Sequence, residues 1–452
     1  MKTDTSLKRH LGLASATAVV VGEIIGVGIF LTPAGMAKSL GSPFWLLIVW
    51  MVMGAMAACG ALCYGELASR FPEAGGGYVY LREAYGPGLA FLYGWKCFLV
   101  MDPGITAVFA VGLASYAGIL ITLPYLWSKA LAICAILVLA GINILGVKFG
   151  AGLMRWLTAL KLGSLATITL YAIIFRLGDV SNFTPFFDQR SGSEPLMGAL
   201  PGAMIAAFFS FAGWWNLSKL AAEVRDPYRI LSRALFFGVL IVTLVYVVTS
   251  AVFIYLMPIQ GVTSGETFAA QAGEKLFGKA GAAIFSSIVM VSIFGSLAAV
   301  MMSAPRVYFA MSRDRLFFKH VAELHPRFST PARAILLQAA LSCLLVALGT
   351  FNQIIAYFVF VTVLFVALTV AAVFILRRRD DDRNLFRTVG YPLTPALFIV
   401  LVVILLFLLA ATNPKQAFLG ASVVALGLPV YYFFLRRARL TMRRGDKGAL
   451  ST

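Results

Sequence analysis

Long apolar runs, separated by short polar segments, cover the chain from residue 12 to residue 435. Each run is about as long as the roughly 20 apolar residues that a helix needs to cross a bilayer. None shows the strict alternation of a barrel strand. The pattern predicts an all-α membrane protein with twelve transmembrane helices, numbered here as spans in chain order: 12–34, 44–69, 89–122, 125–145, 156–176, 198–220, 229–257, 281–311, 333–350, 353–377, 392–412 and 416–435.

Two of the spans contain residues that break a helix. Span 1 includes VGEIIGVGIFLTP, in which Gly22, Gly26 and Gly28 each weaken helical structure by about 1 kcal/mol relative to alanine. Span 6 includes FFSFAGWWN, in which Ala212 and Gly213 are small. In a bilayer, unpaired backbone groups are tolerated only where they line a cavity or are buried in protein. Both segments are therefore predicted to line an internal site.

The two breaks stand five spans apart, and this spacing predicts the organisation of the chain. Paired interruptions at matching positions indicate a transporter built from inverted repeats, with its site near the middle of the membrane. The connections, 70–88 and 258–280 among them, are predicted as loops. The predicted division is a cytoplasmic segment 1–11, a first repeat 12–176, a second repeat 198–377, two further helices in 392–435 and a basic cytoplasmic tail 436–452.

Composition and charge agree with a membrane protein and predict its orientation. The chain is 60% apolar and 12% charged, with a net charge of +18. Most of its 37 Lys and Arg residues, Lys219 and Arg306 among them, fall on the side of the N-terminus if every span crosses the membrane. Such an excess is typical of the cytoplasmic side. It predicts that both termini are cytoplasmic, and it argues against nucleic acid as a partner.

Cysteine and histidine do not indicate a metal or a cofactor. The five cysteines all fall in apolar spans, which predicts no disulfide, and the three histidines are scattered. An enzyme such as a membrane acyltransferase would need a histidine or paired acids at membrane depth. The sequence therefore predicts no catalytic residue, no metal and no cofactor.

The two breaks offer complementary backbone groups. Unwinding at Gly26–Gly28 frees N–H groups at the start of the outer half of span 1, where the positive end of the helix dipole favours a carboxylate. Unwinding at Ala212 and Gly213 frees carbonyl groups at the end of the first half of span 6, which suit an ammonium group. Together they predict a site for a zwitterionic α-amino acid. Close helix packing is the alternative for a single glycine pair, but it does not account for two matched breaks.

Five motifs, in order along nearly the whole chain, resemble those of the amino acid–polyamine–organocation transporter superfamily. They are GEIIGVGIFLTP in span 1, RFPEAGGGYVYLREAYGP after span 2, FAGWWNLSKLAAEVRDPYR in span 6, PRVYFAMSRDRLFFKHVAELHPRFSTP after span 8 and ILRRRDDDRNLFRTVGYPLTP before span 11. Within the superfamily the chain is similar to bacterial relatives of L-type amino acid transporters. Trp95 and Pro103 in span 3 match the W-x7-P spacing of those relatives. The resemblance implies the leucine-transporter-like fold with five-plus-five inverted repeats. A major-facilitator transporter would instead carry G-x-x-x-D-R after span 2.

The resemblance also implies a set of site residues. Lys161 of span 5 matches a lysine of sodium-independent members, so its ammonium is expected in the place of a coupling sodium ion, against span 1 and a serine of span 8. Ser296 is the first candidate for that serine and Ser292 the second. The implied substrate-binding residues are Ile25, Gly26, Val27, Gly28 and Ile29 of span 1 and Phe209, Ser210, Phe211, Ala212, Gly213 and Trp214 of span 6.

Glu23 departs most from the superfamily pattern. A helix rises about 1.5 Å per residue, so this acid lies near the middle of the membrane, where a charged carboxylate costs on the order of 3 kcal/mol unless it is paired or hydrated. We predict a coupling or gating role and an ion pair with Lys161 or Lys96. A protonated acid bonded to a backbone carbonyl is the alternative. Glu66 and Glu223 lie at the inner ends of spans, where pairing with arginines is predicted.

These observations predict a secondary active transporter of L-amino acids that works by alternating access. Apolar residues around the breaks favour neutral substrates, and Lys161 favours sodium-independent transport by exchange or proton linkage. The predicted partners are the amino acid, a bacterial-type inner membrane and a proton or counter-transported amino acid, without a protein partner. Glu23 and Asp102 leave a polyamine or amine/amino-acid antiporter open. A transporter-like nutrient sensor is the alternative from a different class.

Overall fold

The computed structural model describes residues 7–26, 28–259, 268–349, 351–379, 385–412 and 414–434. Val27, residues 1–6 of the predicted N-terminal segment, residue 435 and the predicted tail 436–452 lie outside the described residues. Across the described ranges the regular secondary structure is helical, apart from one isolated bridge between Leu11 and Val224.

Apolar helices of membrane-spanning length make up most of these ranges. The helices are α1 (Leu13–Ile24), α2 (Gly28–Leu40), α3 (Pro43–Arg70), α4 (Gly77–Tyr85), α5 (Pro87–Lys96), α6 (Asp102–Leu120), α7 (Tyr125–Leu145), α8 (Val147–Ile174), α9 (Leu196–Phe211), α10 (Pro227–Leu256), α11 (Phe268–Phe277), α12 (Gly281–Ser303), α13 (Pro305–Arg313), α14 (Ala332–Leu348), α15 (Phe351–Arg379), α16 (Leu393–Thr412) and α17 (Pro414–Ala425). Helices α1 and α2 belong to span 1, and α5 and α6 belong to span 3. Within the described ranges, ten helices are long and apolar enough to cross a membrane, or eleven if α1 and α2 are one span. Helix α14, which matches predicted span 9, has 17 residues.

Spans 1, 6 and 3 are interrupted along their length, and span 8 continues past Ser303 as a separate helix, α13. In span 1 the axes of α1 and α2 meet at 44°. In span 6, α9 is followed by Gly213, whose φ of +110° lies in the left-handed region that favours glycine, and then by a 3-10 helix, Trp214–Glu223. In span 3 a π-helical turn, Cys97–Met101, separates α5 from α6. The glycines predict the first two interruptions but not the third.

Two connections that the sequence predicts as loops contain helices. The connection 70–88 forms α4, in which the consecutive residues Tyr78–Leu81 are buried against the bundle. The connection 258–280 includes α11, which packs against α12 and α2. The loop prediction is wrong at both places, because packing against neighbouring spans stabilises helices that are too short to form alone.

The two halves of span 1 lie among the other spans. Helix α1 packs against α8, α10 and α12, and α2 packs against α9. The start of span 1 is also tied to the end of span 6 through the backbone. The Leu11 N–H donates to the Glu223 carbonyl at 2.9 Å, and the Arg225 N–H donates to the Leu11 carbonyl at 3.0 Å. The chain segments that flank the two breaks are therefore held together.

Candidate functional site

A cavity of about 280 Å³ lies between the broken parts of spans 1 and 6, and residues of spans 3, 8 and 10 complete its wall. The wall is mostly apolar, with five polar side chains. A small, largely apolar cavity with a few polar groups suits a small molecule, since such sites commonly measure about 300–1,000 Å³. The lining residues are Glu23, Ile24, Gly26, Gly28, Thr32, Met101, Ile105, Val108, Phe109, Phe208, Phe209, Ser210, Ala212, Gly213, Trp215, Asn216, Val300 and Thr362.

Several of the residues predicted for the substrate site line this cavity, namely Gly26, Gly28, Phe209, Ser210, Ala212 and Gly213. Four others do not line it but are buried in the surrounding core, namely Ile25, Ile29, Phe211 and Trp214. The Trp214 ring, for example, packs on the Tyr64 ring with centroids 5.0 Å apart. Helical geometry explains this correction, because successive residues of a helix turn by about 100° and cannot all face one cavity.

Span 3 contributes a face that the sequence-based set omits. Ile105, Val108 and Phe109 follow Met101 at four, seven and eight positions, which is the spacing of one helix face. That periodicity identifies the three residues once span 3 is known to adjoin the breaks. Asn216 also lines the cavity and is missing from the sequence-based set. A polar amide three residues after Gly213, within an apolar span, is the feature of the sequence that could have identified it.

Lys161 lies behind the break in span 1. Its Nζ donates to the carbonyl oxygens of Gly22 and Ile25, each at 2.7 Å, and lies 3.2 Å from the Ser296 Oγ. The Ser296 hydroxyl donates to the Gly22 carbonyl at 2.9 Å, and the Ser292 hydroxyl to the Ile25 carbonyl at 2.9 Å. One ammonium and two hydroxyls therefore satisfy carbonyls that the end of α1 leaves without helical partners.

Tyr246 of α10 links the two breaks and is absent from the sequence-based set. Its hydroxyl lies 2.7 Å from the Ser210 carbonyl oxygen in span 6 and 3.0 Å from the Ile24 carbonyl oxygen in span 1. The residue is fully buried. The unwound ends of both spans thus share one donor.

The predicted ion pair between Glu23 and a lysine is wrong. The Glu23 Oε1 accepts a hydrogen bond from the Asn216 amide, and in the described part of the chain the carboxyl group bonds neither to Lys161 or Lys96 nor to a backbone carbonyl. Lys161 is held by carbonyls, and the Lys96 Nζ lies 3.2 Å from the Thr362 Oγ1. Because the carbonyls at the break of span 1 take the Lys161 donors, that ammonium is not available to the carboxylate.

Lys219 and Arg306, which the sequence assigns to the side of the N-terminus, have their side chains buried within the protein. The Lys219 Nζ lies 3.3 Å from the Asp102 Oδ1, and both side chains are at most 3% exposed. The Tyr308 hydroxyl donates to the other Asp102 oxygen at 3.2 Å. The Arg306 Nε donates to the Glu223 Oε1 at 2.7 Å. These contacts join span 3, the 3-10 helix of span 6 and the end of span 8.

The expected pairing of inner-end acids with arginines is confirmed for both residues. Glu223 pairs with Arg306, and a Glu66 carboxylate oxygen lies 2.6 Å from an Arg377 nitrogen. Short helix α4 adds a further contact at this end of the bundle, where the Tyr78 hydroxyl donates to the Asp314 carboxylate at 2.8 Å. Burial, together with the Asp314 charge, raises the pKa of Tyr78 well above its usual range, so the hydroxyl stays protonated as a donor.

Gly28→Ala is expected to reduce substrate binding at least tenfold, because a Cβ at this position would lie 2.9–3.1 Å from three atoms of Ser210, one of them backbone. The two half-helices would have to move apart at the cavity wall. Gly35→Ala is the matched control in the same helix, since a Cβ there meets no atom within 4 Å. Equal binding constants for the two variants, measured on purified protein, would contradict the close approach of spans 1 and 6.

Comparison with known proteins agrees with this geometry. The family model described as "Amino acid permease" matches residues 11–434. The serine/threonine exchanger of Bacillus subtilis (strain 168) is 34% identical over 96% of this chain and 98% of its own length. The large neutral amino acids transporter small subunit 2 of Mus musculus is 31% identical over 94% of this chain and 81% of its own. The b(0,+)-type amino acid transporter 1 of Mus musculus is 29% identical over 95% of this chain and 88% of its own length.

The match therefore covers all the predicted spans and both breaks. The family and these relatives are transporters and exchangers of amino acids, not enzymes. The many apolar helices agree with a multi-pass membrane protein. The chain belongs to the amino acid permease family of the amino acid–polyamine–organocation superfamily.

Proposed function

We propose that the protein is a secondary active transporter that binds a zwitterionic L-amino acid between the breaks of spans 1 and 6. The observation that carries this proposal is the cavity itself, which is lined by Gly26 and Gly28 at the break of span 1 and by Ala212 and Gly213 at the break of span 6. The N–H groups at the start of α2 would take the carboxylate, and carbonyls at the end of α9 would take the ammonium. Val27, although outside the described residues, remains part of the proposed binding segment.

The substrate would be a small neutral amino acid. The mostly apolar wall and the volume of about 280 Å³ support this, and so does the similarity to a serine/threonine exchanger. Exchange of one amino acid for another is the mode that we favour, with proton-linked uptake as the variant. No cofactor or protein partner is part of the proposal.

Sodium-independent transport is the second part of the proposal. The Lys161 ammonium touches the carbonyls at the end of α1 and a serine of span 8, which are the kinds of oxygen group that hold a sodium ion in transporters with broken helices. A fixed positive charge there would replace the ion. Lys161, with Ser296 and Ser292, would then couple the position of span 1 to that of span 8.

We propose twelve spans in a bacterial-type inner membrane, with both termini cytoplasmic. The 17 residues of α14 are about 25 Å long at 1.5 Å per residue, enough for a ninth span with small extensions. The two repeats would be 12–176 and 198–377, related by inversion, with 392–435 outside them. The matched breaks support this division.

Alternating access would require one end of the path to be closed. On the side of the N-terminus, the Leu11–Val224 bridge joins spans 1 and 6 to each other. The Lys219–Asp102–Tyr308 cluster and the Arg306–Glu223 pair join span 6 to spans 3 and 8. We propose that these contacts form the cytoplasmic gate, which must break before substrate leaves on that side.

The test is transport by the purified full chain in proteoliposomes. Vesicles loaded with unlabelled amino acids are expected to take up labelled serine, threonine or another small neutral amino acid by counterflow, equally well with sodium or with potassium. A pH gradient separates proton-linked uptake from exchange. Uptake of diamines but not of amino acids would favour the antiporter alternative, for which the acidic Glu23 in the cavity is the specific observation. No uptake of any of these compounds would contradict the proposal.

A further inference from the structure

Two hydrogen-bond acceptors on side chains that line the cavity have no donor in the described part of the chain. They are the Glu23 Oε2 and the Asn216 Oδ1. Both residues line the cavity, and they are only 4% and 6% exposed. Their other side-chain atoms bond to each other, since the Asn216 amide N–H₂ donates to the Glu23 Oε1. The pair is therefore a fixed unit with two unused acceptors.

Leaving such groups unpaired is costly. A buried acceptor without a donor costs about 1–3 kcal/mol, and a charged one costs more. Nearby cations do not supply the donor, because the Lys219 ammonium faces Asp102 and the Lys161 ammonium faces backbone carbonyls. A group that enters the cavity is the remaining source of a donor.

The position of the pair indicates which part of a substrate would reach it. Glu23 precedes the break in span 1, and Asn216 follows the break in span 6, so both lie beyond the backbone groups that the breaks expose. The absence of a side chain at Gly213 brings the Glu23 side chain against this break, since a Cβ there would lie 3.0 Å from the Glu23 Cγ. If the exposed backbone holds the carboxylate and the ammonium of an amino acid, the side chain is the part left to meet Glu23 and Asn216.

We propose that Glu23 and Asn216 form an acceptor subsite that selects amino acids whose side chain carries a hydrogen-bond donor. The donor is a hydroxyl or an ammonium group, and substrates without one are disfavoured. This inference rests on the proposed function, because it assumes an amino acid bound at the breaks. It assigns to Glu23 the recognition of the side chain rather than ion coupling.

Binding to the purified full chain in detergent tests the subsite separately from transport. Dissociation constants are measured by competition for two matched pairs, threonine against valine and lysine against norleucine, in which one member lacks the donor. The wild-type chain is expected to prefer the donor-bearing member of at least one pair by tenfold or more, since sites built for a hydrogen bond reject analogues that lack it. The pair that shows the preference identifies the donor as a hydroxyl or an ammonium group.

Two substitutions then assign the preference to the subsite. Glu23→Met removes both carboxylate oxygens at similar side-chain length and leaves the Asn216 Oδ1 as the one acceptor of the pair, so the preference is expected to fall to less than threefold. Glu23→Gln keeps one carbonyl oxygen, so a hydroxyl preference should persist in part while an ammonium preference should be lost. Ser250→Ala is the control, because it removes another buried hydroxyl without a partner in the described ranges, outside the cavity, and should leave the ratios unchanged.

Several outcomes would overturn the inference. Equal affinity of the wild-type chain for both members of each pair, or no binding of any of the four, contradicts a donor-selective subsite. An equal loss of all four ligands in Glu23→Met would indicate that this carboxylate holds the common α-ammonium or only the fold. Transport failure with intact selective binding would instead contradict the proposed function and leave the subsite standing.

Discussion

Asp102→Leu is expected to destabilise the protein by about 3–5 kcal/mol and to abolish transport, because it leaves a buried ammonium without its counter-ion. The Lys219 Nζ lies 3.3 Å from the Asp102 Oδ1, and both side chains are almost fully buried. The double variant Asp102→Leu/Lys219→Met removes both charges and fills their space with apolar groups, which is often neutral or stabilising. It is expected to recover most of the lost stability. Thermal unfolding in detergent measures both effects.

Transport distinguishes a gate from a purely structural ion pair. If the pair closes the cytoplasmic end, the double variant should fold like the wild-type chain and yet leak substrate from loaded proteoliposomes. Glu323→Gln is the matched control, since the Glu323–Arg333 pair is half-exposed and solvent screens it, so neither stability nor leak should change measurably. A single variant as stable as the wild-type chain, or a double variant as unstable as the single one, would contradict the buried pair.

The broken spans could be predicted from sequence because their signals are local. Glycine weakens a helix whatever surrounds it, and the structure interrupts span 1 after Ile24, beside Gly26 and Gly28, and span 6 at Gly213. For the π-helical turn Cys97–Met101 the local signal is a single proline, Pro103, at the start of α6, and helix α4 has no comparable signal. They depend on how spans pack against each other, and apolar periodicity does not contain that information.

Charge illustrates the limit of local reasoning at the candidate site. Lys219 lies at the inner end of predicted span 6, beside the connection to span 7, yet its partner Asp102 is 117 positions away in the chain. The similar depth of the charges predicts an ion pair of Glu23 with Lys161 or Lys96, whereas the carbonyls at the break compete for Lys161. Which polar groups meet depends on helix rotation, and rotation follows from tertiary packing. The residues of the breaks, and the neighbourhood of Lys161 and Ser296 beside span 1, could be chosen from sequence, but the partners of Glu23 and Lys219 could not.

Lys161→Ala is expected to slow amino-acid transport about 10- to 100-fold in sodium-free buffer, because hydrogen bonds to a charged group contribute about 1.5–3 kcal/mol each. The variant would lose the contacts to the Gly22 and Ile25 carbonyls. Ser296 and Ser292 would still donate to these two oxygens, so the end of α1 should remain formed. The space left by the ammonium would then be surrounded by two carbonyls and two hydroxyls.

That set of oxygen atoms leads to a second expectation for the same variant, since unwound carbonyls of this kind coordinate sodium in related membrane architectures. Added sodium should restore part of the transport rate of Lys161→Ala and should leave the wild-type rate unchanged. Lys96→Ala is the matched control, because that buried ammonium contacts the Thr362 hydroxyl and the Met101 sulfur instead of backbone carbonyls, so sodium should not act on it. Uptake measured in sodium and in potassium buffers checks all three proteins. Kinetics of Lys161→Ala equal to those of the wild-type chain would show that the ammonium neither replaces an ion nor couples the two spans.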